Sequence, residues 1–398
     1  MPLATGVAKQ VRYKKEVTWG TAPTASGAQQ LRRVTSDLSL TKEAYQSSEI
    51  RTDYQVADYR HGVRSVAGSI NGELSPKTYA DFFAASMRKD FAAGATTGSV
   101  ATLAVGVGGL TFTDSGSGFV TAGFVVGNVV SATGFSTANN NSHYCLVTAV
   151  TAGTLTFVPL DGVVLTAEVA GGTRTIAVVG KISYTPETAQ TDDSFSIEHF
   201  HSDVTQSELF TGCKVNSLNV ALPPTGMATI GIDFMGKDLT TATSAYFTTP
   251  TATTNTGILA SVNGLAYALG SRQTLLTGLT INVAGNMSAE PVVGSNTYPD
   301  IFEGRVVVTG ELTAFFETGA LRDAFLNETE IALMFVFTTS NAKNPDFISF
   351  TMPRVKLGSA TKDDGEKGLV QTLSYQALFN SAGTGASKTT LLIQDSAA

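Results

Sequence analysis

The chain has 398 residues, 39 of them glycine, with 42% hydrophobic and 15% charged residues and a formal net charge of −7. That length suits two or three domains, and the prevalence of Thr, Ser, Val and Gly excludes a mainly helical protein. The acidic balance excludes a nucleic-acid binder that works by neutralising phosphates, and a charged fraction below the usual roughly 25% implies surface buried against other chains.

In chain order, residues 1–23 form an N-terminal arm. Its extended part, 6–23, has mixed charge and the only tryptophan, Trp19, and such an arm frays or docks on a neighbour. An alternating strand follows, with Val34, Ser36, Leu38 and Leu40 on one face and Thr35, Asp37, Ser39 and Thr41 on the other. Residues 42–61 are polar and aromatic and too long for a tight hairpin loop. A second strand, 63–74, puts Val66, Gly68, Ile70 and Leu74 against Ala67, Ser69, Asn71 and Glu73. Ser75-Pro76 reads as an N-cap with proline at the first helical position, opening a helix to about Arg88 with Tyr79, Phe82, Phe83 and Met87 on its apolar face.

From residue 95 to 179 the chain is nearly uncharged and broken into short strands, an inserted small all-β domain expected to project outward as a decoration. The interrupted unit resumes at about 180 with strands at 195–201, 213–222 and 227–236, the last two joined by a Pro223-Pro224-Thr225-Gly226 turn. The first domain is thus 1–94 with 180–240, and the Thr-rich residues 241–264 read as a surface linker.

The second domain, 265–398, repeats the first. Leu279, Ile281 and Val283 answer its first strand, residues 288–299 its polar loop in shortened form, and 305–312 its second strand. A helix at 318–326, strands at 331–339, 350–357 and 369–378, and an Asp363-Asp364-Gly365-Glu366 turn complete the series. The clearest local match sets Ser69-Ile70-Asn71-Gly72-Glu73-Leu74 against Val307-Val308-Thr309-Gly310-Glu311-Leu312. The fold class is mainly β, with two β-sandwich domains each flanked by a helix, plus the insert.

Residues 69–87, an alternating strand, a Gly-Glu-Leu-Ser-Pro-Lys-Thr-Tyr corner and an aromatic helix, resemble the tail tube (major tail) proteins of tailed bacteriophages. The resemblance covers residues 30–90 and 190–238 and, through the internal match, the second unit. It implies a non-enzymatic virion protein whose copies form stacked rings, with inner sheets merged into one β-barrel around a channel for DNA entering the host. Most members carry one unit per chain in hexameric rings, so two units imply a trimer with pseudo-sixfold symmetry. Implied partners are other copies of the chain, a tape measure protein, a tail terminator and distal tail proteins, with double-stranded DNA in transit and no membrane. The implied location is the virion tail, assembled in the bacterial cytoplasm.

Strands with one apolar and one polar face leave open edges that ring closure would remove. The face read as channel-facing carries Asp37, Asn71, Glu73, Asn219 and Asp233 from the first unit, and Asn282, Arg305, Glu311, Arg354 and Lys356 from the second. Ring stacking is read onto Trp19, Tyr45, Arg51, Asp53, Tyr54, Tyr59 and Arg60, a mixture of aromatic and arginine anchors.

No catalytic set is evident. Asp114-Ser115-Gly116-Ser117-Gly118 lacks the spacing of a nucleophile elbow and reads as a turn. His199 and His201 share a strand face but offer only two metal ligands, and the pairs Asp192-Asp193 and Asp363-Asp364 read as turns; neither metal nor cofactor is expected. Cys145 and Cys213 read as free thiols. The first ten residues lack a secretion signal, and no run of roughly 18 apolar residues spans a bilayer. The rival readings are a β-rich adhesin or carbohydrate-binding surface protein, which calls for a secretion signal and aromatic platforms, and a β-sandwich hydrolase, which calls for a nucleophile and base.

Overall fold

The computed structural model of the chain describes residues 3–253, 257, 259–364, 366 and 368–398. Gly365 of the expected turn, and Thr254, Asn255, Thr256 and Ile258 of the expected linker, lie outside the described residues.

Eight strand positions pair antiparallel into one sheet. In spatial order they are 35–46, Tyr59–Glu73, Thr229–Gly236, the C-terminal half of Gln206–Leu222, Leu276–Ala284, Val307–Phe315, Val370–Ala377 and the C-terminal end of Phe347–Leu357. The first four belong to the first repeat and the last four to the second, in the same spatial order. The repeats meet where Ser217–Leu222 runs against Leu279–Ala284.

Alternation along each strand sorts the side chains into two faces. Directly opposed across the sheet stand Ser36, Ile70, Ile232, Leu218, Val283, Val308, Ala377 and Val355. Apart from Ser36 at the edge, this row is buried.

The apolar face rests on one core that runs through both repeats without a break. The helix Ala80–Met87 lies beneath it, with Phe82 edge-on to Phe195 and Phe234 and Phe83 edge-on to Phe350 of the second repeat. The helix starts four residues later than Ser75-Pro76 predicts. Lys77 takes a left-handed φ of +66° and the Ser75 and Thr78 hydroxyls bond to each other, so 75–79 is a turn. The helix Ala320–Leu326 is its counterpart, with Leu321 and Phe325 against the core.

Both long strands bend out of this sheet into outer layers. Gln206–Leu222 bends at Gly212, φ +67°, where a Cβ would sit 2.8 Å from the Lys237 side chain and 3.1 Å from the Trp19 indole. The buried Glu16 carboxylate fixes the bend, accepting bonds from Gly212 N (2.8 Å), Gly20 N (2.7 Å) and the Ser194 and Ser196 hydroxyls (2.7 Å each). A buried carboxylate is tolerable when its lone pairs are met in this way.

The arm is paired within its own chain. Lys9–Lys15 pairs along its whole length with Phe195–His201, and with Ser26–Leu31 on its other side. The second repeat opens likewise: Gly264–Ala268 pairs with Ile331–Thr338 and with Ser271–Gln273. The likeness in strand order between the two halves thus extends to the arm. The expected linker is also partly structured, since Asp238–Ala242 pairs with the outer half of Gln206–Leu222 and Thr249–Ala252 runs parallel to Ser26–Leu31.

The insert is a six-stranded sheet with its own core. It is not a free decoration, because Val129 and Leu146 on its outer face share a second apolar cluster with Leu265, Met334, Val336 and Phe347 of the second repeat. The Gln394 amide bonds to both backbone groups of Val129 (2.8 Å each) and to Val179 O (2.7 Å). Gln394 belongs to the C-terminal strand Leu392–Asp395, which lies between Phe347–Leu357 and Lys181–Tyr184 and ties the repeats together on the outer side.

Asp395 in that strand is buried and accepts backbone bonds from Lys77 (2.7 Å) and Ala397 (2.8 Å). Burial pushes its carboxyl up to about 6 from the usual 3.8. Between those values the folded chain holds a proton that the unfolded chain has released. The group's stabilising contribution is full below the unfolded value and is lost as pH rises through about 6. Denaturant unfolding followed upward from pH 4 should show this loss, and Asp395→Asn should flatten it; an unchanged pH profile in the variant would rule the group out as its source.

Candidate functional site

The sheet face opposite the core carries no apolar row. Thr35, Asn71, Gly231, Asn219, Asn282, Thr309, Gln376 and Lys356 stand opposite one another across all eight strands. Adjacent rows place Asp233 beside Ser217, and Glu73 beside Thr229 and Glu311 beside Thr280 and Ser374. Asp37 accepts from both the Ser69 amide and the Ser69 hydroxyl. Asn71 Nδ2 donates to Thr35 Oγ1 (3.0 Å) and Ser69 Oγ (3.2 Å).

Nine of the ten residues read from sequence as channel-facing lie on this face, while Arg305 is exposed in the segment just before Val307–Phe315. Sequence reading omitted Gln376, whose place in the alternation of Val370–Ala377 was its signal. Arg354 is held by a two-pronged pair with Glu330 (2.6 and 2.8 Å), and Lys356 by Glu328 (3.3 Å). The face therefore presents acids together with cations that are already paired.

The sheet has two open edges. Among the described residues, Thr35–Ser36 and Ser39–Gln46 pair only with Tyr59–Glu73; at the other side Val355 pairs with Ile331 as well as Ala377, and the edge opens beyond it as Thr361–Lys362, paired only with Val370–Ala377. Lys9 Nζ donates to the carbonyl of Ser36 at the first edge (2.6 Å).

The stretch 42–61 is a hairpin, strand at both ends where Ser39–Gln46 and Tyr59–Glu73 pair up to Gln46 and Tyr59, with residues 47–58 as the loop between. This hairpin runs past the last partner of its inner neighbour, Gly236 opposite Val66, by roughly 20 Å at about 3.3 Å per residue. It carries the exposed side chains of Tyr45, Ile50, Tyr54, Val56 and Tyr59. Its charges are matched locally, Arg51 with Asp53 (2.9 Å) and Arg60 with Asp58 (2.6 Å). Trp19 does not join them: it lies on Gly212, donating to its carbonyl (3.2 Å), with Lys237 4.4 Å above its ring.

The equivalent connection in the second repeat, residues 285–306, is longer rather than shortened, and folds back over the first repeat. Arg64 N donates to Asn296 O (2.9 Å), and Arg88 reaches Glu303 (3.1 Å) and Gly304 O (2.6 Å). Lys214, 1% exposed, reaches Asp192 (2.7 Å), Asp300 (3.2 Å) and Ile301 O (2.8 Å).

The weaker motifs resolve into structural roles. His199 is buried rather than on an exposed face; its ring bonds to Ser36 Oγ (2.7 Å), and burial pushes its pKa down to about 3. Asp114 accepts the amides of Gly116 and Gly118 (2.8 Å each), closing a turn. Cys145 and Cys213 are free and buried, and burial raises both thiols. Among the described residues, no group of three or more His, Cys, Asp or Glu side chains is placed to hold a metal, and no helix is long and apolar enough to cross a membrane.

A family model described as phage tail tube protein matches residues 6–377. No curated protein matches the chain.

Removing Lys214 would leave the half-exposed carboxylates of Asp192 and Asp300 without their shared cation. Lys214→Ala is expected to cost on the order of 2 kcal/mol in denaturant unfolding, the partners being half-exposed. Hydrogen exchange of amides 296–304 should speed up in the variant; unchanged protection there would show that other contacts hold the loop.

Proposed function

The chain belongs to the phage tail tube protein family, a structural family, and on that footing we propose that it is the repeating subunit of a tail tube whose bore is the polar face of the eight-stranded sheet. The observation that carries this reading is the junction between the repeats. Ser217–Leu222 against Leu279–Ala284 already joins two like units edge to edge with their polar faces continuous. The same join between copies would consume both open edges, which otherwise invite uncontrolled pairing.

Three copies would close a barrel of about 24 strands, roughly 40–50 Å across the backbone at a spacing of about 4.8 Å and the usual tilt. That bore is wider than a double helix. Its small polar side chains, acids and paired cations offer few free charges to phosphate, so DNA would pass without being held. The ring is then a trimer with pseudo-sixfold symmetry, and genome ejection is the event the bore serves. The outer face, with the insert against the second repeat, would form the tube exterior. Tape measure, terminator and distal tail proteins would meet the bore and the two ends, and assembly would take place in the host cytoplasm.

The projecting hairpin, with its exposed Tyr45, Ile50, Tyr54, Val56 and Tyr59, would seat on the adjacent ring. Gln46 stands opposite Tyr59, so residues 47–58 can be replaced by Asn-Gly, the two-residue turn that such a pair accepts. The shortened protein is expected to fold and form rings while failing to polymerise. Tubes of normal length from this variant in negative-stain electron microscopy would remove the hairpin's role, and a wild-type chain that stays monomeric would overturn the tube reading.

A further inference from the structure

We propose that a groove at one end of the second repeat receives the tip of the projecting hairpin, residues 47–58, from a copy in the adjacent ring. This rests on the stacking reading above and names the surface on which the hairpin seats.

The two features lie at opposite ends of the sheet. Glu73 pairs with Thr229, Thr229 with Ala221, Leu222 with Leu279, and Leu276 with Ala314, so these residues mark one end. The hairpin leaves from the other, beyond the pair of Gln46 and Tyr59. A protruding element at one end and its socket at the other make a head-to-tail contact, the kind that repeats without closing on itself and so builds a stack.

The groove, about 290 Å³, opens where the sheet and the outer layer of the second repeat part, between Leu222 on one side and Phe335 and Phe337 on the other. Both phenylalanines are buried, whereas Val262 at the rim is 83% exposed. An apolar cavity of about 150 Å³ already accepts a benzene ring, so this one has room for a large side chain. The same end of the first repeat is closed from within. Tyr79 is buried with its hydroxyl on Arg32 O (2.8 Å), and Leu259, also buried, donates its amide to Leu74 O (3.0 Å) and accepts from Ala228 N (2.9 Å). The hairpin belongs to the first repeat and the groove to the second, so each ring turns relative to the next until unlike repeats face each other.

Tip and groove match in surface and in charge. Ile50 and Tyr54 are fully exposed at the tip, and seating them against Phe335 and Phe337 takes apolar surface out of water. Among the charged residues of 47–60, Arg51 pairs with Asp53 and Arg60 with Asp58, which leaves Glu49 without an ion pair among the described residues. Of the residues lining the groove, Arg272 alone is charged; it is exposed and likewise without an ion pair among the described residues. An unpaired anion on the tip and an unpaired cation at the socket fix which way the hairpin enters.

The test uses the full-length chain. Arg272→Glu alters an exposed side chain, so the variant is expected to fold and to form rings. Polymer recovered by sedimentation should fall about tenfold at low salt and return as salt rises, since like charges brought together are screened. Glu49→Arg alone should lower it in the same way, and the two substitutions together should restore it. Contact is read separately with Ser48→Cys and Val262→Cys, joined by a short bismaleimide in assembled tubes, the natural cysteines being buried. Linked oligomers well above those from either single-cysteine chain are expected. Tubes in which positions 48 and 262 stay unlinked and Arg272→Glu polymerises normally, while the chain shortened at 47–58 stops at rings, would put the seat elsewhere and overturn this inference alone. Normal tubes from the shortened chain, or a wild-type chain that stays monomeric by native mass spectrometry, would overturn the stacking reading and this inference with it.

Discussion

The strict alternation of apolar and polar side chains across the join between residues 217–222 and 279–284 is the constraint on which the remaining architecture depends. A slip of one residue there would turn Leu218, Val220, Ile281 and Val283 toward water and drive Asn219 and Asn282 into the core. Because both faces are fixed at the join, the sheet has one dry side and one wet side over its whole width. The helix Ala80–Met87 and the outer layers can pack only on the dry side.

Such a sheet also has to leave its own plane, since its long strands continue into the outer layers. The bend at Gly212 is set by Glu16 and shielded by Trp19, both from the N-terminal segment, while Lys214 ties the far side to residues 300–301. The outer layers are then bound together by the insert and the C-terminal strand through Gln394. Rigidity is therefore concentrated away from the edge at Thr35–Ser36 and Ser39–Gln46, which stays available for a further strand.

The parts of this arrangement that were readable in the sequence are those encoded by periodicity. The alternating strands around Ile70, Leu218, Ile281 and Val308, the shared Gly-Glu-Leu segments and the aromatic helix each carry a local signal. The parts that were not readable depend on distant partners. Arg12 is buried because Glu198 lies 3.5 Å away and Phe247 O accepts from it at 2.7 Å, and nothing near Lys9–Lys15 announces that pairing. The Thr-rich segment around 249–252 is held by backbone bonds, which composition does not record. The docking of the insert did leave a trace: Val129-Val130 and Cys145-Leu146-Val147 are consecutive buried residues, the mark of strands covered on both faces. On the polar face, alternation alone placed nine of the ten residues together, whereas the contact of Trp19 with Gly212 was not legible because Gly212 lies almost two hundred positions downstream.

The central claim concerns which face of the sheet encloses the channel. A reconstruction of the assembled tube by electron cryo-microscopy, at a resolution that separates strands, tests it most directly. The account predicts a closed wall with threefold symmetry and eight strands per chain, lined by Asn71, Asn219, Asn282 and Thr309. A lumen bounded by any other surface of the subunit, or a wall interrupted between copies, would contradict it.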